Sequence, residues 1–454
     1  MTQHSIDPVE RSDPVRLVCL ATLVSTHGLI RLAERYLPEF VSALGYGPIV
    51  VGSLVTLGLG IAVAATEYSS GPIGGDSTPL EARAVAVLSA LLAAVGLLAW
   101  AGSPALDTLL GTPLSALGWL AIGVALLQAW HVRGPARGFW PVDTRVTSSP
   151  STAADEDRDC SPTRAVGSDR RTPVVLGALG VVAAATFATT AVASADTVRT
   201  GFALVAATGA AVAIVGAIAL GTLGDRSPLS GGGAASDDRE GGATTESDPS
   251  ITVVRSAVSR LPDRRRWAVI GDAVVRVAIA GISPFLILLV VDYRPIALSV
   301  GGLSLAPAAV FGLFVLVEAA GATLGAVAFP ALASRVDRRA LLAVGLAALS
   351  LLPMALVAAP ANAAVVAALF GLLGCRTAIE PLRPTVGSSG RASPVPGPRL
   401  PGEIRTAVRV AVVPAPLLGG LLYAIDPVVA FTVATTVGLL GVRELGRAFT
   451  SDRR

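Results

Sequence analysis

Apolar runs long enough to cross a bilayer recur along the whole chain, and nothing else in the sequence limits the fold as strongly. Windows of about 20 apolar residues, the length needed for a membrane helix, fall near 17–37, 48–67, 82–102, 107–131, 173–194 and 200–224. A second set falls near 267–291, 303–329, 340–360, 362–379, 406–424 and 427–446. Of the 454 residues 52% are hydrophobic and only 15% charged, against about a quarter charged in soluble domains. Three cysteines cannot form a disulfide framework. The expectation is an all-α polytopic membrane protein of twelve transmembrane helices, arranged six plus six.

The loops set the direction. All 35 basic residues are arginine. With both termini inside, 29 lie in inner segments and three (Arg35, Arg199, Arg294) in outer loops, while Arg31, Arg276 and Arg409 fall within spans. Basic residues accumulate on the cytoplasmic side, so a multi-pass protein of the plasma membrane with both termini cytoplasmic is expected. The arginines form no single patch, and no nucleic-acid partner follows from the net charge of +3. The inner segments 145–172 and 225–250 are too polar to fold alone, and 385–402 is rich in Gly, Ser and Pro. Residues 251–262 put Val253, Ala257 and Leu261 on one helical face against Arg255 and Arg260, the pattern of a short helix lying on the inner membrane surface. The expected organisation is a bundle over 1–224, a cytoplasmic linker over 225–266 and a second bundle over 267–454.

The two halves repeat one another in the same direction. His27 to Arg31 in span 1 matches Asp272 to Arg276 in span 7, Pro38 matches Pro284, and Pro48 to Gly52 matches Pro307 to Gly312. Parallel repeats of six helices follow from that order. With twelve spans, a long inner loop between spans 6 and 7 and inner termini, the chain resembles the major facilitator superfamily of secondary transporters over nearly its whole length. That family carries a loop of the form G-x-L-A-D-R-x-G-R-R between spans 2 and 3, echoed between spans 8 and 9. Here the second copy reads Pro330 to Arg339, keeping Leu332, Ala333, Arg335, Arg338 and Arg339; the first, Pro72 to Glu81, keeps only Asp76. Pro416 to Gly420 in span 11 matches a further family feature. The resemblance implies alternating access around a midplane site, with Asp76, Arg335, Arg338 and Arg339 at the cytoplasmic gate.

Ionisable residues inside a membrane are costly and mark functional sites by default. Asp272 and Arg276, four apart on span 7, can pair, either as a self-neutralised structural pair or as part of a central cavity. His27 and Arg31 occupy the equivalent face of span 1. Glu318 lies mid-span in helix 8 among apolar residues, where it could carry a proton or pair with a cavity arginine. Glu34, Arg35 and Glu39 are expected to be solvated at the outer end of span 1. Gly321-x-x-x-Gly325 suits close helix packing. Asp155-Glu156-Asp157 reads as a solvated charge run, and no spacing for a metal site, a phosphate-binding loop or a catalytic cluster occurs. The expectation is a secondary transporter of a small-molecule solute in the lipid bilayer, with protons as candidate coupling ion, no cofactor and no catalytic residues. The alternatives are a non-transporting receptor or scaffold on the same fold, and a membrane-embedded lipid-linked transferase.

Overall fold

The computed structural model describes residues 14–69, 79–111, 114–133, 197–222, 255–256, 258–300, 303–385 and 400–450, with scattered helical residues between 183 and 195. The first half consists of α1 (Pro14–Ala43), α2 (Pro48–Ser69), α3 (Pro79–Gly102), the short α4 (Leu106–Leu110), α5 (Ala116–Arg133) and α6 (Val198–Thr222). The second half begins with α7 (Asp263–Ile282), continued by 3-10 and π turns to Tyr293, then a two-stranded hairpin, β1 (Leu298–Val300) with β2 (Leu303–Leu305). It continues with α8 (Pro307–Arg335), α9 (Arg338–Ala358), α10 (Ala363–Gly374), α11 (Gly402–Val412), α12 (Ala415–Ile425) and α13 (Pro427–Thr450).

Among the described residues eight helical stretches are long and apolar enough to cross a membrane, joined by the shorter apolar helices Ala116–Val132 and Ala363–Ala378. Helix is found at eleven of the expected windows. The remaining window, 173–194, falls mainly outside the described residues, so the total of twelve stays an expectation. Several boundaries differ from the sequence reading: the window 107–131 divides into α4 and α5, and 406–424 into α11 and α12. Residues 303–305 form β2 rather than the start of a span, and α1 runs through Pro38 to Ala43 instead of stopping before the proline. Proline removes one helical hydrogen bond, a loss that membrane helices tolerate where neighbouring helices re-satisfy the backbone.

Small residues bring the helices together, as they must where lipid supplies no hydrophobic drive for association. A Cβ on Gly96 would meet the Gly123 carbonyl at 2.9 Å, which locks α3 on α5, and the Trp100 indole donates to the Leu120 carbonyl beside it at 3.1 Å. The expected packing role of Gly321 and Gly325 holds: Gly321 faces the Gly371 carbonyl, and Gly325 faces Thr377, so α8 lies directly on α10. Arg83 donates to the carbonyls of Leu220 (2.7 Å) and Gly221, capping the C-terminal end of α6, where unpaired carbonyls attract a cation.

The halves meet most closely at the end where α1 terminates and α2 and α8 begin. Gly52 lies against the Pro416 carbonyl, a Cβ on Gly420 would come 2.6 Å from the Pro48 carbonyl, and Thr56 Oγ1 accepts from the Leu417 amide at 3.1 Å. Tyr36 donates to the Ala308 carbonyl at 3.0 Å. Toward the opposite end Arg409 reaches Thr66 Oγ1 at 3.4 Å.

Of the expected surface helix over 251–262, Val253 and Ala257 lie outside the described residues. Val258 and Leu261 pack on Val269 of α7 and on Leu400, Ile404 and Val408 at α11, while Arg255, Ser259 and Arg260 are exposed. Val258 and Leu261 thus cover protein.

Candidate functional site

The stripe His27, Arg31, Glu34, Arg35 along α1 recurs at helical spacing, and it is here that the halves share charge. Arg35 binds Glu318 of α8 with Nη2 2.8 and 3.1 Å from the two carboxylate oxygens. Arg376, in the 3-10 turn after α10, approaches the same carboxylate at 3.4 Å. The Glu318 side chain is 9% exposed, against 24% for Arg35 and 32% for Arg376. One buried carboxylate is therefore held between two partly open guanidiniums, one from each half.

One helical step away, Glu34 lies 3.2 Å from Arg31 Nη1 and 2.5 Å from His131 Nε2 of α5. The Trp130 indole donates to His27 Nδ1 at 3.3 Å, so His27 is held by a ring neighbour. His131 and His27 meet edge to face with centroids 6.4 Å apart. The Arg31 side chain is the most open of the group, at 60% exposed. Three arginines (31, 35, 376) against two glutamates (34, 318), with Arg276 balancing Glu380 beside Arg376, leave one positive charge in excess when the histidines are neutral.

The pairing expected within α7 is replaced by another. Asp272 is fully buried, and its partner is Arg383 at 2.6 Å, not Arg276. Its second oxygen accepts from the Thr385 amide at 3.1 Å and from the Thr385 hydroxyl. The reason is geometric: a side chain from a packed neighbouring segment can meet the carboxylate head-on and desolvate it, which residues four apart on one helix reach only obliquely. Arg276 is half-buried within the field of Asp272, Glu380, Arg383 and Arg409.

The expected solvation of Glu34, Arg35 and Glu39 also fails, because α1 continues past Pro38 and draws these residues into the bundle. Glu34 and Arg35 join the clusters just described, and Glu39 is only 4% exposed. Of the gate candidates, Asp76 lies outside the described residues. Arg335 closes the last turn of α8, while Arg338 and Arg339 open α9, whose N-cap Asp337 accepts from the Arg339 amide at 3.0 Å. Arg35, Arg376, Arg383 and His131 were not singled out from sequence as site residues. Arg35 and His131 sit at the ends of apolar windows, and Arg376 and Arg383 count there as loop arginines.

No protein-family model matches the chain, and no curated protein matches it. Solved structures do. A mutant form of the nucleoside transporter NupG superposes with TM-score 0.63 at 11% identity over 95% of this chain and 99% of its own. A POT family transporter in complex with a thioalcohol-conjugated peptide gives 0.55 at 13% identity over 96% of each chain. The xylose transporter XylE from E. coli, in a partially occluded inward-open conformation, gives 0.54 at 11% identity over 95% and 97%. Together with the helix order described above, these matches give the chain the all-helical, polytopic fold of the major facilitator transporters.

Proposed function

We propose that the protein is a secondary active transporter that moves a small anionic or carboxylate-bearing solute by rocking its two halves about a midplane site. The observation that carries this reading is Glu318 held between Arg35 and Arg376. A charge cluster built across two moving halves changes when they separate, and a permanent structural pair has no need of a third charge. The excess positive charge acts where little water screens it, so an anion entering between the halves is attracted. Protonating Glu318 would release an arginine for the solute. That couples proton and solute movement through Arg35 and Arg376. Asp272, answered by Arg383 and Thr385, belongs to the scaffold in this reading.

The arginine distribution supports cytoplasmic termini in the plasma membrane, and the close contacts at the end of α1 then form a closed extracellular gate. Asp76 and the arginines 335, 338 and 339 are proposed at the cytoplasmic mouth. Reporter fusions after residues 150, 240 and 390 should report cytoplasm, and fusions near 104, 197 and 296 the exterior.

The functional test starts with thermal stabilisation of the purified protein by a panel of carboxylates, phosphate esters, sugars and nucleosides. Stabilising compounds then go into proteoliposome flux assays with and without a pH gradient. Stabilisation by anions that is lost in Arg35→Gln supports the reading. Binding without flux under any gradient would instead favour a receptor on a transporter fold.

A further inference from the structure

Glu39 stands four residues beyond Arg35 on α1, at the end of the bundle where the halves meet. It is 4% exposed, and neither carboxylate oxygen has a hydrogen-bond partner among the described residues. Asp292, in the π turn after α7, belongs to the other half, is itself exposed, and acts on Glu39 electrostatically. Tyr423 of α12, also from the second half, feels the Asp292 charge and buries its hydroxyl without a partner.

The other charged groups described around this end are engaged elsewhere: Asp426, after α12, is exposed and accepts from the Val428 amide at 2.6 Å. Arg35 is committed to Glu318. Arg199 at the start of α6 donates to the Ala43 carbonyl at 2.6 Å. Arg294 lies over the Tyr293 ring, 5.7 Å from its centre. Tyr36, which faces Glu39, donates to the Ala308 carbonyl, and α8 brings only apolar residues between 307 and 317.

We infer that Glu39 is a proton-binding site whose protonated form is required to close this end of the transporter, so that opening the end and releasing the proton are one event. A buried carboxylate with neither donor nor cation is strongly disfavoured relative to its neutral acid, and the facing Asp292 adds like-charge repulsion. α1 packs on residues 283–288, just before the Asp292 turn, and separating the two admits water to Glu39 and removes both penalties. The closed arrangement therefore binds the proton more tightly than the open one. By linkage the sign is fixed: the closed form is favoured at low pH, and the open-to-closed ratio rises as pH passes upward through and beyond the ordinary carboxylate range. One carboxyl can change that ratio by at most about tenfold per pH unit. The inference rests on the alternating-access part of the functional reading and is independent of the solute.

The test uses the full chain in nanodiscs with Cys19, Cys160 and Cys375 replaced by Ser and spin labels on Ser42→Cys and Ser299→Cys, both exposed positions on opposite halves. The label distance should lengthen as pH is raised, with a slope no steeper than one proton. Glu39→Gln, a neutral isostere, should hold the short distance at every pH. Asp292→Asn should shrink the alkaline opening without abolishing it, since the closed form then tolerates an ionised Glu39 better. As a control, Gly52→Ala, which puts a methyl into the Pro416 carbonyl, should lengthen the distance regardless of pH. If Glu39→Gln keeps the wild-type pH response, or if the control moves the labels and pH does not, the proton site is refuted and alternating access stands. If neither pH nor the control moves them, both readings fall.

Discussion

Asp272 and Glu318 are both buried carboxylates on membrane helices, and both meet arginine, yet they are answered in different ways. Asp272 has one buried guanidinium, a backbone amide and a hydroxyl, all from the single segment Arg383 to Thr385. Every lone pair that matters is occupied from within one half. Glu318 has two guanidiniums, both partly open and one of them from the other half. A closed set of partners within one body makes a brace; an over-supplied set across two bodies makes a site whose charges can be redistributed when a ligand arrives or a proton moves.

The largest effect should come from breaking the brace. Asp272→Ala leaves Arg383 buried and unpaired, and removing one member of a buried pair costs about 3–5 kcal/mol. That is a large share of a typical folding free energy. Purified Asp272→Ala should show a marked fall in melting temperature and monodisperse yield. Replacing both Asp272 and Arg383 by Leu should recover much of that loss, since a buried ion pair and well-packed apolar residues are often close in stability. If the single variant is as stable as the parent, the brace reading is wrong, and Asp272 has to be reconsidered as a cavity residue.

The next effect falls on the site. Arg35→Gln and Arg376→Gln each remove one donor to Glu318 but leave the other, so the carboxylate is never stranded. Stability should change by no more than about 1 kcal/mol. Anion affinity should fall roughly 10- to 100-fold, the value of a charge-assisted contact of about 1.5–3 kcal/mol. Glu318→Gln should keep solute exchange but lose accumulation driven by a pH gradient. Should Glu318→Gln still concentrate solute with unchanged pH dependence, the coupling assignment fails.

How much of this could be read from the chain alone follows from the kind of contact involved. Helix existence was legible, because a bilayer span needs a continuous apolar run that neighbours cannot supply. Glu318 and Asp272 were legible for the same reason: a charge in such a run is expensive wherever the helix packs. Their partners were not. Arg35 is 283 residues from Glu318 and Arg383 is 111 from Asp272, and nothing local distinguishes those arginines from the others counted as loop charge. The α1 boundary was misread at Pro38 because a proline usually ends a helix in water. In the bundle, Tyr36, Leu37, Phe40 and Val41 are buried on both sides of it, and their packing carries the helix through. That single boundary accounts for Glu34, Arg35 and Glu39 being expected in solvent.

The gate arginines should give a more modest effect than the site. Arg335→Gln, Arg338→Gln and Arg339→Gln together should leave expression nearly unchanged and shift cysteine accessibility at the proposed cytoplasmic mouth relative to the opposite end. Arg335 sits favourably at the end of α8, whereas Arg338 and Arg339 sit at the positive N-terminal end of α9, a placement that helix electrostatics alone does not reward. Unchanged accessibility at both ends would remove these residues from the gate.

The smallest expected effect is also the sharpest test of the electrostatic argument, because its sign is opposite to the others. Glu34 is a negative charge one position from Arg35, paired to Arg31 and His131 rather than to Arg35. If the site works by an excess of positive charge, Glu34→Gln raises that excess and should tighten anion binding. The side chain is 26% exposed, so screening leaves only about 0.5–1 kcal/mol, a few-fold in affinity. The gain should shrink as salt is added, since mobile ions screen partly exposed charges. If His131 and Arg31 matter only as structural partners of Glu34, the same substitution would lower stability and leave affinity level. Anion titrations of the two proteins at low and high ionic strength, run beside their melting curves, separate these outcomes. Tighter binding at low salt alone places Glu34 in the site's field, whereas a fall in melting temperature with unaltered affinity makes it a second brace like Asp272.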